Sequence, residues 1–134
     1  MKIIFKYKIS IVIAIAIFYL SIMKPPKICT SIHLFNYYDK IIHFLMYAIF
    51  TTSLALETKN SNKIYIYFII LLISTIFGGA IEILQSYFPP RTASWGDFIA
   101  DAIGSALPLV IISLFWIYDY GHKQKGKAGG IEPD

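Results

Sequence analysis

Four apolar runs, each close to the length that crosses a bilayer, constrain this chain more than any other feature. They cover residues 9–23, 41–56, 64–81 and 102–118. A spanning helix needs about 20 apolar residues. The first run is short, but Lys6 and Lys8 can extend their ammonium groups to the membrane surface, so that helix is expected to begin near residue 5. The sequence therefore predicts an all-α membrane protein, with four transmembrane helices in a small antiparallel bundle.

The runs and the residues between them predict one domain over residues 1–120 and a tail. Helices are expected at about residues 5–23, 38–56, 63–86 and 96–118. The prolines at residues 25–26 and 89–90 end the first and third helices. An uncleaved first helix is preferred to a signal peptide, because its small-residue motif lies inside the apolar run. Residues 121–134 are rich in Gly and Lys and are predicted to form a flexible cytoplasmic tail.

The composition excludes several other classes of protein. Hydrophobic residues make up 57% of the chain and charged residues only 15%, whereas a soluble domain carries about 25% charged residues. A single cysteine, Cys29, argues against a disulfide scaffold or a zinc cluster. The net charge of +4 is assigned to lysines that flank membrane spans, so no nucleic-acid partner is predicted.

The distribution of basic residues predicts the orientation. Eight lysines fall on one side of the predicted bundle, at residues 2, 6, 8, 59, 63, 123, 125 and 127. Four basic residues fall on the other side, at residues 24, 27, 40 and 91. The positive-inside rule then places both termini in the cytoplasm and residues 24–40 and 86–97 outside.

Most of the distinctive polar residues fall at the predicted outer ends of the helices. This set comprises Asp39, Lys40, His43, Tyr47, Glu82, Gln85, Arg91, Asp97 and Asp101. Asp39, His43 and Tyr47 follow one another at four-residue spacing and share one stripe of the second helix. Glu82 and Gln85 share a face of the third helix. If these stripes turn inward, they form a polar pocket at the outer rim.

Several of these residues also have simple structural explanations. Asp97 completes a capping pattern with Ser94, and Asp39 suits a helix N-terminus. The other structural alternatives are an interhelical hydrogen bond for His43, a surface lysine for Lys40 and a core position for Tyr47. For Glu82 a functional role is favoured, because it lies about one turn inside an apolar helix. A functional role is also favoured for Arg91, whose guanidinium lies in a proline-bounded loop and can grip a carboxylate or phosphate.

The same residues resemble two signatures of the VanZ-like membrane proteins. Residues 39–44 with Tyr47 resemble the pattern D-K-x-x-H-F-x-x-Y. Residues 82–85, followed by residues 90–91 and Asp97, resemble E-x-x-Q, a Pro-Arg loop and an aspartate. Gly104 matches a glycine of the last helix, whereas the family more often has asparagine where this chain has Asp101. The resemblance implies a small multi-pass protein of the bacterial cytoplasmic membrane, in a family whose founding member is associated with low-level teicoplanin resistance.

The favoured hypothesis is an envelope protein that binds an amphiphilic ligand at the outer rim. Candidate partners are a membrane lipid, a lipid-linked cell-wall precursor or a lipoglycopeptide, and the protein could form oligomers. Lys40 and Arg91 would hold phosphate or carboxylate groups. The remaining contacts would come from Asp39, His43, Tyr47, Glu82, Gln85, Asp97 and Asp101.

Two other classes stay open. In a membrane enzyme acting on a lipid-linked substrate, His43 would be a general base oriented by Asp39, although no nucleophile motif is present. In a small proton-coupled transporter, Glu82 and His43 would relay protons. A metal could be held by His43 with nearby carboxylates, but their spacing matches no standard metal motif, so neither a metal nor another cofactor is predicted.

Overall fold

A computed structural model describes residues 5–23, 32–58, 64–87 and 93–128 of the chain. Within them lie four α-helices and no strand. The helices are α1 (Lys8–Ile22), α2 (Ile32–Glu57), α3 (Ile64–Gln85) and α4 (Trp95–Ala128). This architecture confirms the all-α prediction.

Three of the helices are long and apolar enough to cross a membrane. These segments are Tyr38–Glu57, Ile64–Gln85 and Trp95–Asp119. Their outward surfaces carry large exposed apolar side chains such as Phe68 and Leu114, which suit contact with lipid. The apolar helix α1 has 15 residues and is about 22 Å long, shorter than the roughly 30 Å hydrocarbon core. A fourth span and the cytoplasmic location of the termini stay predictions.

Two helices extend beyond their predicted bounds. Helix α2 begins at Ile32 rather than near residue 38, because no proline or glycine lies between these positions to end it. Helix α4 continues to Ala128 rather than ending near residue 118. A glycine costs a helix only about 1 kcal/mol, against about 3 for proline, so Gly121 does not end it. Residues 121–128, predicted as part of the flexible tail, are therefore helical, and residues 129–134 lie outside the described part.

Helix α2 lies at the centre of the bundle and packs against the other three helices. Its closest neighbour is α4, and Gly104 permits this approach. A Cβ atom at residue 104 would lie 2.3 Å from the backbone carbonyl oxygen of Phe44. Small residues at such crossings let two helix backbones come together.

Polar contacts at both ends of α1 attach it to the bundle. The Glu57 carboxylate at the end of α2 accepts hydrogen bonds from the backbone N–H groups of Ile9 (2.8 Å) and Ser10 (3.1 Å). These are among the N–H groups that a helix start leaves unpaired. At the other end, the Gln85 amide of α3 donates to the backbone oxygen of Ser21 at 3.0 Å. Between them, Ile17 packs against Tyr47 and Phe50.

The α2–α4 crossing gives a first testable prediction. Gly104→Ala should destabilise the fold by about 1–3 kcal/mol, because the new methyl group meets backbone that can move only with its helix. Gly79→Ala is the matched control, since a Cβ there would lie 3.4 Å from the Phe98 ring, at ordinary contact distance. Unfolding in detergent micelles measures both variants. Equal stability of the two would contradict the close crossing.

Candidate functional site

Five ionisable residues from three helices meet at one end of the bundle. Asp39 and His43 come from the first part of α2, Glu82 from the end of α3, and Asp97 and Asp101 from the start of α4. We call these five residues the polar end. Four of them are almost fully buried, with exposed fractions of 1% for His43, 5% for Glu82, 6% for Asp97 and 0% for Asp101. Such burial makes the protonation and partners of these groups energetically important.

His43 lies at the centre of the polar end. A hydrogen bond of 3.0 Å joins its Nδ1 atom to Oδ1 of Asp101, and Oε1 of Glu82 lies 3.8 Å from the same nitrogen. The enzyme hypothesis assigned the orientation of His43 to Asp39, but the carboxylate bonded to Nδ1 belongs to Asp101. The close α2–α4 crossing explains this pairing, because Asp101 lies one turn before Gly104.

Glu82 connects the polar end to the start of α4. Its Oε2 atom accepts a hydrogen bond from the backbone N–H of Ser94 at 2.8 Å. A carboxylate at this position also interacts favourably with the positive end of the helix dipole. Its other oxygen, Oε1, is buried and has no hydrogen-bond partner among the described residues. Glu82 therefore stabilises the helix start with one oxygen and keeps acceptor capacity on the other.

Lys40 and Asp97 form an ion pair, with Nζ and Oδ1 3.2 Å apart. The lysine chain crosses directly over Gly96, where a Cβ would lie 2.5 Å from Lys40 Cε. The Lys40 side chain is 40% exposed, but the Asp97 side chain is only 8% exposed. The cation predicted to hold a ligand thus has an intramolecular partner, and its release would leave a buried carboxylate without that partner, which costs free energy.

Of the three other predicted site residues, two make structural contacts and one lies outside the described part. Gln85 is buried and holds Ser21 of α1, which is a structural contact rather than an open ligand position. Tyr47 is fully buried and packs edge-on against Phe50, with ring centroids 6.4 Å apart. Arg91 lies outside the described residues.

Unpaired polar atoms are concentrated around the polar end. Tyr47 Oη, Glu82 Oε1, Asp101 Oδ2 and Ser105 Oγ are buried and have no hydrogen-bond partner among the described residues. An unpaired buried polar group costs about 1–3 kcal/mol, and native proteins contain few of them. Four such unpaired atoms in one region therefore indicate a place where a bound group could form hydrogen bonds or ionic contacts with the protein.

An apolar cleft of about 350 Å³ opens between α3 and α4 beside the polar end. Its lining consists of Gly79, Glu82, Ile83, Ala93, Ser94, Trp95 and Phe98. Glu82 is the residue that belongs both to this cleft and to the polar end. Sequence reasoning missed the cleft; the available signal was Gly79, whose missing side chain leaves space beside Phe98.

The fold and this site define a small helical membrane protein with a buried histidine–carboxylate cluster at one end. The family model VanZ/LLP1 matches residues 3–116, so the chain belongs to the VanZ-like family. This match confirms the resemblance in the two sequence signatures. Comparison with curated proteins and with solved structures finds no significant match.

The His43–Asp101 contact gives a second prediction. Asp101→Ala should lower the free energy of unfolding by about 1–3 kcal/mol, because it leaves Nδ1 of buried His43 without a partner. Asp101→Asn should lower it less, since the amide oxygen can still accept that hydrogen bond. Unfolding in detergent micelles compares the two variants. An equal loss in both would contradict a structural hydrogen bond at this position.

Proposed function

We propose that this protein is a multi-pass protein of the bacterial cytoplasmic membrane that binds an amphiphilic ligand. The apolar part of the ligand would occupy the α3–α4 cleft, and its polar part would face Glu82. The observation that carries this proposal is the shared position of Glu82, which borders an apolar cleft and a buried charged cluster at once.

The dimensions and chemistry of the cleft support such a ligand. Ligand pockets commonly have volumes of about 300–1,000 Å³, with apolar walls and a few polar groups. The volume of about 350 Å³ suits part of an acyl or polyprenyl chain rather than a whole lipid. The unpaired Glu82 Oε1 atom can accept a hydrogen bond from a hydroxyl, amide or amine of the polar part.

A lipid-linked cell-wall precursor or a lipoglycopeptide fits these requirements, because each combines an apolar chain with a large polar group. The VanZ-like family points in the same direction through its association with teicoplanin resistance. The lysine distribution supports an extracytoplasmic polar end, where such molecules are accessible. We further propose that Lys40 and Arg91 contact an anionic part of the ligand.

Two matched variants, each with phenylalanine in place of an alanine, test the ligand site. Ala93→Phe places a ring in the cleft, whereas Ala80→Phe adds the same ring at an exposed position of α3 outside it. The probes are a photoactivatable polyprenyl-linked cell-wall precursor, a photoactivatable phospholipid and teicoplanin as competitor. Ala93→Phe should weaken labelling by one of the probes about tenfold or more, a loss of about 1.4 kcal/mol, and Ala80→Phe should leave it unchanged.

Two results would contradict the proposal. One is equal labelling of wild type and Ala93→Phe by both lipid probes. The other is labelling confined to peptides that do not line the cleft. Teicoplanin susceptibility of a bacterium that expresses each variant provides the cellular measurement. Wild type and Ala80→Phe should lower susceptibility, and Ala93→Phe should not.

A membrane enzyme is the second candidate, favoured by the hydrogen bond between His43 and Asp101. A histidine held by a carboxylate can act as a general base toward water. In that case His43→Gln should still bind the labelled precursor but release no product detectable by mass spectrometry. Proton-coupled transport stays a hypothesis from the sequence.

A further inference from the structure

Three buried side chains at the polar end offer ligand atoms to one point. His43 contributes an imidazole nitrogen, and Glu82 and Asp101 contribute carboxylate oxygens, all within 4.8 Å of one another. Each comes from a different helix, and each side chain is more than nine-tenths buried. Their positions relative to one another are therefore set by helix packing rather than by a mobile loop.

Unpaired oxygens are a second, independent observation at this point. Glu82 Oε1 and Asp101 Oδ2 have no hydrogen-bond partner among the described residues. Glu82 Oε1 faces Nδ1 of His43 at 3.8 Å, too far for a hydrogen bond. A buried carboxylate needs a cation or hydrogen-bond donors to compensate for the water that it loses.

The charge balance of the polar end favours a cation. Within the group of His43, Glu82 and Asp101, two carboxylates face one imidazole, which must be neutral to ligate a metal. The ammonium group of Lys40 pairs with Asp97 instead. A divalent ion would offset the charge of the Glu82 and Asp101 carboxylates.

We propose that His43, Glu82 and Asp101 bind one divalent transition-metal ion of the Zn²⁺ or Mn²⁺ type. One imidazole and two carboxylates form a mixed nitrogen and oxygen ligand set that suits these ions. Ligand atoms around such an ion lie about 3.0–3.4 Å apart. His43 Nδ1 lies 3.0 Å from Asp101 Oδ1 and 3.8 Å from Glu82 Oε1, so the ion would replace the proton that the imidazole and the Asp101 carboxylate now share.

Such an ion would also affect the adjacent cleft. Glu82, one of the three proposed metal ligands, also lines the cleft, so the ion would lie one side chain away from it. Three protein ligands plus open positions are typical of sites where a metal contacts a bound molecule. The ion would give the polar end a positive centre for a phosphate or carboxylate, without displacement of Lys40 from Asp97. Metal binding itself does not require that ligand.

Titration with Co²⁺ tests the site directly. The full chain is purified in detergent with an affinity tag that contains no histidine, and bound metal is removed with chelator. Co²⁺ binding is followed by visible absorption and Zn²⁺ binding by displacement of Co²⁺. Wild type should bind one equivalent of Co²⁺. Glu82→Gln, Asp101→Asn and His43→Gln should each bind it at least about tenfold more weakly, since even outer contacts of metal ligands contribute 10- to 100-fold.

Matched controls lie near the other end of α4. His122→Gln and Asp119→Asn make the same chemical changes about 27 Å or more along the helix from Asp101, and both should bind Co²⁺ like wild type. Helix content and a monodisperse elution profile identify folded variants. If His43→Gln does not fold, Glu82→Gln and Asp101→Asn decide the question.

Several results would overturn the site. One is a wild type that binds no Co²⁺ specifically, and another is unchanged binding in folded Glu82→Gln and Asp101→Asn. His43 also belongs to a second group of possible metal ligands, with Asp39 and Asp97. Loss of Co²⁺ binding in Asp97→Asn but not in Glu82→Gln would assign the metal to that second group and overturn the proposed site. All these titrations omit the amphiphilic probes, so failure of the metal site and failure of the ligand proposal are distinguishable.

Discussion

Helices α2 and α4 cross so closely at Gly104 that a single methyl group would meet the backbone of Phe44. The polar end depends on this crossing, because His43 and Asp101 lie directly beside it on the two helices. A wider crossing would separate Nδ1 of His43 from the carboxylate that it now contacts at 3.0 Å. Gly78 has a related role on α3, where a Cβ would lie 3.0 Å from Asp101 Oδ2. Gly104 thus lets α4 approach α2 closely, and Gly78 leaves space on α3 for the carboxylate of Asp101.

This arrangement buries four ionisable groups almost completely, those of His43, Glu82, Asp97 and Asp101. Carboxylates at the edge of a span need partners, and those of the polar end find them only in part. Glu82 uses one oxygen on the start of α4, and Asp97 uses Lys40. The remaining capacity lies at Glu82 Oε1 and Asp101 Oδ2. Incompletely satisfied groups in an otherwise well-packed bundle are typical of functional sites, where stability is exchanged for the ability to bind.

Sequence periodicity predicted which residues share a helix face, but it could not predict partners across helices. Asp39, His43 and Glu82 lie together at the polar end, and the sequence could point to them as candidates because spacing and apolar surroundings are local properties. The pairing of His43 with Asp101 depends on the position of α4 along the axis of α2. A residue pattern within one helix does not encode this relative position. The same limit applies to Gln85, whose partner is a backbone oxygen of α1. The α3–α4 cleft also escaped prediction, since its walls come from two segments that are separated in the sequence, residues 79–83 and 93–98.

Helix ends were predicted least well, for a different physical reason. Glycine and lysine in residues 121–128 suggested a flexible segment, yet α4 continues through Ala128. The lysines, the glutamine and the alanine there have good helical propensity, and an established helix extends at little cost per residue. The described part of α1 ends at Ile22 and that of α3 at Gln85, shortly before the proline pairs at residues 25–26 and 89–90, whereas Pro108 lies inside α4.

The contact between His43 and Asp101 is the central feature of this account, and nitrogen NMR of the protein in lipid bilayers measures it most directly. The His43 Nδ1 resonance is assigned by its absence in His43→Gln. The account predicts that Asp101→Asn shifts this resonance, whereas Asp119→Asn at the far end of α4 leaves it in place. An Nδ1 resonance that is identical in wild type and folded Asp101→Asn would contradict the convergence of α2 and α4 on which the site depends.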